Sequence, residues 1–143
     1  MKHILNNFKF RLPANEDNIK ICVAAVSNFV SLMNPTLEEL GDIRCAVGEA
    51  FTNSVMHAYK DLPENKEGFV YVSVRLYDIR EVSVEISDNG CGFENANEIL
   101  HREPTPENQG MGFMIMRNFM DSVLIKSKVG KGTTILMRKA LIK

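Results

Sequence analysis

Cysteine is scarce in this chain of 143 residues: Cys22, Cys45 and Cys91 are all there are. Odd in number and far apart, they leave no metal-ligand spacing and point to reduced thiols in a reducing compartment. Charge imbalance is absent too. The net charge is −1, so no global basic field exists to attract nucleic acid. Apolar residues make up 45% of the chain but are interrupted every few positions, and nothing approaches the ~20 apolar residues of a membrane span. Residues Met1 to Phe8 lack the apolar core of a signal peptide. There are no internal repeats or low-complexity tracts. The expectation is a cytoplasmic protein of one domain, residues 1–143, long enough to bury about two-thirds of its unfolded surface, with no direct nucleic acid partner and no membrane.

What the chain does have is clear periodicity. Phe8, Phe10 and Leu12 alternate, which predicts a strand over 7–12 closed by Pro13. Ile19, Val23, Val26, Val30 and Met33 recur at three and four, predicting an amphipathic helix over 16–33 that ends at Asn34-Pro35. Thr36 with Glu39 forms a capping box, and Leu37, Leu40, Ile43, Val47, Phe51 and Val55 carry an apolar stripe to about residue 60. After a polar loop at 61–68, two alternating strands over 70–76 and 82–86 join through Asp78-Ile79-Arg80 as a hairpin. Residues 94–109 are polar, hold two prolines and show little regular pattern; so long a loop is functional or disordered. A helix over 110–121 and a hairpin of 122–128 with 133–139 complete the chain. The fold class expected is α+β, a two-layer sandwich of four or five mostly antiparallel strands with about three helices on one face.

Three segments carry chemistry: Glu49 to His57, Asp88 to Phe93 and Gly110 to Phe113. Each sits at the edge of a predicted element, and together they describe a nucleotide site. Glu49, Asn53 and His57 are spaced by four, on one flank of the helix. Three polar residues at this spacing are more often a solvated face; chemistry tips the balance. Asn53 offers a neutral oxygen to Mg²⁺, which takes few protein ligands, and Glu49 is free to accept a proton from an attacking hydroxyl. His57 reads as structural. In Asp88-Asn-Gly-Cys-Gly the carboxylate can accept a hydrogen bond from an exocyclic amine such as that of adenine, while Gly90 and Gly92 let the backbone approach closely. A simple Asp-Asn-Gly turn explains the same residues, and Cys91 reads as a spacer. Gly110 and Gly112 open a helix whose free N–H groups suit phosphate; an ordinary loop-to-helix junction would look the same. Met111, Met114, Met116 and Met120 read as core filler. Thr133 and Thr134 either reach the base through water or are ordinary strand residues. Lysines 126, 128, 131, 139 and 143 make the C-terminal third basic, as a solvated sheet face would be.

With these residues in place, the chain resembles the GHKL ATPase superfamily and, within it, the bacterial anti-sigma factor serine kinases. The likeness rests on Val-Ala-Ala at 23–25, Asn-Pro-Thr-Leu-Glu-Glu-Leu at 34–40, Glu-Ala-Phe-Thr-Asn at 49–53 and Gly-Met-Gly-Phe-Met-Ile-Met-Arg-Asn-Phe-Met-Asp at 110–121. The resemblance implies a homodimer that binds ATP and Mg²⁺, sequesters a sigma factor and phosphorylates a serine of an anti-anti-sigma protein. It implies Glu49 as general base, Asn53 as Mg²⁺ ligand and Asp88 as adenine reader. Gly90, Gly92, Gly110 and Gly112 would surround base and phosphates, with Thr133 or Thr134 near the base. Residues 94–109 become an ATP lid with Thr105 among its polar contacts. This lid is shorter than the family's and lacks its Thr-Thr-Lys-like stretch; Ala58 stands where the family often has Gly. Lys20 stands where the family often has an arginine that meets the sigma factor. Two rival expectations are an ATP-regulated binding module without kinase activity and a detached histidine-kinase ATPase domain.

Overall fold

The computed structural model describes residues 2–62, 67–103 and 111–142. Five strands form one antiparallel sheet: β1 Ile4–Pro13, β2 Phe69–Tyr77, β3 Glu81–Asp88, β4 Ser122–Lys128 and β5 Gly132–Ala140, in the order β1-β2-β3-β5-β4. The two hairpins expected from alternation form, β2 with β3 and β4 with β5. Placing β5 between β3 and β4 sets Asp88 opposite Thr133 in the central pair. Alternation makes one face of the sheet apolar: Val70, Val72, Val74, Val82, Val84, Ile86, Ile135 and Met137 are buried there.

Helices cover that face. They are α1 Asp17–Val30, α2 Leu37–Asn53, α3 Ala96–Leu100 and α4 Met111–Phe119, with a short 3₁₀ turn at Ser31–Met33. Cys22, Val26 and Val30 of α1 join Ile43, Ala46, Val47, Ala50 and Phe51 of α2 in the core. The capping box at Thr36 and Glu39 is present, each side chain bonded to the other's backbone N–H at 3.0 and 2.9 Å.

The structure corrects three expectations. Leu37, assigned to the apolar stripe, is 90% exposed, because the first residue after the cap lies at the helix mouth, outside the layer. The α-helix expected to run to about 60 ends at Asn53 and continues as a π-helical turn, Ser54–Ala58. Within the stretch read as patternless, α3 forms because Leu100 is buried and Ile99 packs against the core.

Candidate functional site

Asp88 closes β3 and is only 5% exposed. A carboxylate taken this far from water needs hydrogen-bond donors, and three reach it. Oδ1 accepts the backbone N–H groups of Gly90 at 3.0 Å and Thr133 at 3.2 Å, and Oδ2 accepts the Ser54 hydroxyl at 2.8 Å. The Gly90 contact is the local turn that Asp-Asn-Gly chemistry favours. The other two come from β5 and from the π turn.

The loop after Asp88 lies tight against that turn. The Cys91 N–H donates to the Ala58 carbonyl at 2.7 Å, and its thiol to the His57 carbonyl at 3.3 Å. A Cβ on Gly90 would stand 2.2 Å from the Ala58 oxygen, so no larger residue fits without a shift. Gly92 combines a φ of +64° with an equally close approach, 2.0 Å from the Lys128 carbonyl to a would-be Cβ. Only glycine takes that conformation at little cost. Cys91, expected as a spacer, thus anchors the loop through its backbone, its carbonyl accepting the Gly130 N–H at 2.7 Å.

On the other side of α2, Glu49 and Asn53 are half-buried and His57 is exposed. A Cβ on Gly112 would lie 3.0 Å from Glu49 Oε2, so the carboxylate rests against the first turn of α4. Asn53 is followed directly by Ser54, whose hydroxyl is on Asp88. One continuous helical stretch therefore carries the carboxylate beside α4 and the contact to the buried aspartate. Thr133 belongs to the cluster through its N–H and through its hydroxyl, 2.7 Å from the Ser127 hydroxyl. Thr134 is half-buried on the opposite face of β5, where it pairs with Ser87 and Lys126. Thr105 and Gly110 lie outside the described residues. Among the exposed positions are Lys20 on α1 and Lys126, Lys128 and Lys131 around the last hairpin. Lys139 instead pairs with Asp42 at 3.3 Å and donates to the Phe119 carbonyl.

Sequence reasoning missed Ser54, Tyr59 and Ser127. The Tyr59 hydroxyl donates to the Phe69 carbonyl and accepts the Asn89 N–H at 2.9 Å, tying the residue that follows the π turn to the start of β2 and to the loop after β3. Burial, together with the neighbouring Asp88 charge, raises its phenol above the usual range against the lowering effect of the Asn89 N–H. Ser127 accepts the Phe93 N–H at 2.9 Å. No signal in the sequence marks these hydroxyls, since each acts across a long-range contact.

Among the described residues no group of three or more His, Cys, Asp or Glu side chains gathers as a metal site. A Mg²⁺ carried with nucleotide phosphates does not require one. The Asn53 side chain forms no hydrogen bond with another described residue, and its neutral oxygen fits such an ion.

An antiparallel sheet with helices on one face, a caged aspartate at a strand end and a helix opening beside a carboxylate define a nucleotide-binding ATPase domain of the histidine-kinase type. The family model for the histidine kinase-like ATPase domain matches residues 12–139. Anti-sigma F factor of Clostridium acetobutylicum is 38% identical over 138 residues, covering 94% of this chain and 93% of that protein. Its counterpart from a Geobacillus species is 40% identical over 136 residues, 92% and 88% of the two chains. The chain belongs to the anti-sigma F factor family. Among solved structures, about a third of the chain holding the RsbU and RsbW domains of Rv1364c from Mycobacterium tuberculosis shares the fold, with a TM-score of 0.68 at 17% identity over 95% of this chain and 32% of that one.

Proposed function

We propose that this protein is an ATP-dependent serine kinase that also acts as an anti-sigma factor, holding a sigma factor and silencing an anti-anti-sigma protein by phosphorylating it. The observation that carries the reading is the helical stretch from Glu49 to Ser54, which joins a carboxylate beside the α4 N-terminus to the caged Asp88. Asp88 accepts the exocyclic amine of adenine, and Gly90 and Gly92, packed against the Ala58 and Lys128 carbonyls, hold the loop beside the base. The first turn of α4 points its free N–H groups toward phosphate. Asn53 would hold Mg²⁺, which when bound with ATP neutralises charge on the phosphate oxygens.

Glu49 performs the protein's part in transfer. As the partner's serine oxygen bonds to the γ-phosphorus, its proton passes to the Glu49 carboxylate, and the bond to the β–γ bridging oxygen breaks to release ADP. Nucleotide binding alone has no need of a base at this position. A homodimer belongs to the same reading, and the scattering mass of the protein in solution tests that part. The protein works in the cytoplasm; among the described residues no helix is long and apolar enough to cross a membrane.

Glu49→Gln decides the central point. Phosphoserine on the co-purified partner should be lost by at least about a hundredfold while ATP affinity stays nearly unchanged. An unchanged phosphorylation rate removes Glu49 as the base. An acid-labile phosphohistidine product in place of acid-stable phosphoserine would replace the serine kinase reading with a histidine kinase one.

A further inference from the structure

We infer that Ser54 is a specificity-determining residue, which leaves the Asp88 carboxylate a single open acceptor position and so selects a purine edge offering one donor over one offering two. The inference rests on the reading of this site as a nucleotide site. An ionised carboxylate has about four lone-pair positions and no donor. Both positions on Oδ1 are filled from within the fold, by the N–H groups of Gly90 and Thr133. One of the two on Oδ2 is filled by Ser54, whose hydroxyl must donate because its partner cannot. Among the described residues nothing takes the fourth.

The consequence is a matter of counting. Adenine presents an amino group next to a ring nitrogen that only accepts, so it needs one acceptor and is repelled by a second. Guanine presents a ring N–H beside an amino group, two adjacent donors that need two open acceptor positions, which Oδ2 would offer only without the Ser54 hydroxyl. With Oδ1 saturated and Oδ2 half-filled, a guanine donor stays unpaired in a dry site, which costs more than a missing bond. Ser54 is itself only 3% exposed and belongs to the π turn that breaks the α-helical register after Asn53. It therefore also sets which way the open lone pair faces, relative to the residues that meet the phosphates.

The test is a set of equilibrium titrations of wild-type protein and the Ser54→Ala and Ser54→Thr variants with ATP, GTP, N6-methyl-ATP and N6,N6-dimethyl-ATP, with unfolding midpoints measured alongside. Wild type should bind ATP and N6-methyl-ATP, each with an N–H to give, within a few-fold of one another. GTP and the dimethyl compound should be weaker by about tenfold or more, the worth of one charged hydrogen bond. Ser54→Ala should narrow the ATP-to-GTP preference by about tenfold, and Ser54→Thr, which keeps the hydroxyl, should preserve it. A serine with a merely structural role would weaken all nucleotides alike and leave the ratio unmoved, which overturns the inference while the nucleotide site stands. Wild type that binds GTP as well as ATP overturns it even if Ser54→Ala does not fold. Wild type that binds no adenine nucleotide at all removes the nucleotide reading and the inference with it.

Discussion

Three cysteines of the same chemistry sit in three different environments. Cys22 is fully buried in α1, and burial pushes its thiol up to about 12. Cys45 is exposed on α2, and Cys91 is half-buried with its thiol on the His57 carbonyl. At neutral pH a thiol-alkylating reagent should therefore modify Cys45 first and Cys91 more slowly, with Cys22 reacting only on unfolding. Peptide mapping over time reads the order, and early labelling of Cys22 would contradict the packing of α1 on the sheet. Saturating ATP should slow Cys91 further, since its loop approaches the proposed base position, and leave Cys45 unaffected. Three residues of one type thus differ because the fold sets how far each thiol lies from water.

At the scale of elements, glycine has two opposite meanings. Gly41 lies inside α2 with nothing within 4 Å of a would-be Cβ, so Gly41→Ala should stabilise the protein by about 0.5–1 kcal/mol through helix propensity. Gly90 faces the Ala58 carbonyl at 2.2 Å from the same hypothetical atom. There Gly90→Ala forces the loop away from the π turn, costing roughly 1–3 kcal/mol of stability and weakening ATP binding. Urea unfolding and nucleotide titration of both variants check the pair; equal effects would mean that the Gly90 contact is not tight. The π turn itself explains why the element matters. Its carbonyls at His57 and Ala58 are turned outward to take the Cys91 thiol and N–H, so the irregular turn is what the loop docks on.

For the whole molecule, the far end of the fold is held by one carboxylate. Glu39 Oε1 accepts the Thr36 N–H at the start of α2, and Oε2 accepts the Ile142 N–H at 2.7 Å from the tail beyond β5. Arg80, at the first hairpin turn with φ of +58°, donates to the carbonyls of Met33 and Ile142. Burial alone would raise the Glu39 carboxyl, but the bonds from Thr36 and Ile142 and the Arg80 charge outweigh it and hold it below the ordinary value. A carboxyl lowered on folding adds stability above its unfolded pKa and loses it as pH falls through the folded value. Urea midpoints at pH 7 and in the acid range should show wild type losing more stability on acidification than Glu39→Gln. Equal losses would mean that the tail is not held through this group.

Much of this was legible from residue order alone, for a physical reason. Side-chain period, capping chemistry and turn residues act over a few positions, so the strands, the Thr36 cap and both hairpins could be read locally, as could the carboxylates of Glu49 and Asp88 at the edges of their elements. The tertiary structure decided what depends on contacts between distant segments. It ended α2 in a π turn and set the Asp88 loop on the carbonyls of that turn. It brought Thr133 to Asp88 and left Thr134 on the opposite face, because pairing β5 against β3 fixes which residues point inward. It recruited Ser54 and Tyr59, hydroxyls that no local pattern marks, because the lone pairs of a buried carboxylate and the polar groups of nearby backbone can be satisfied only by whatever the fold places beside them.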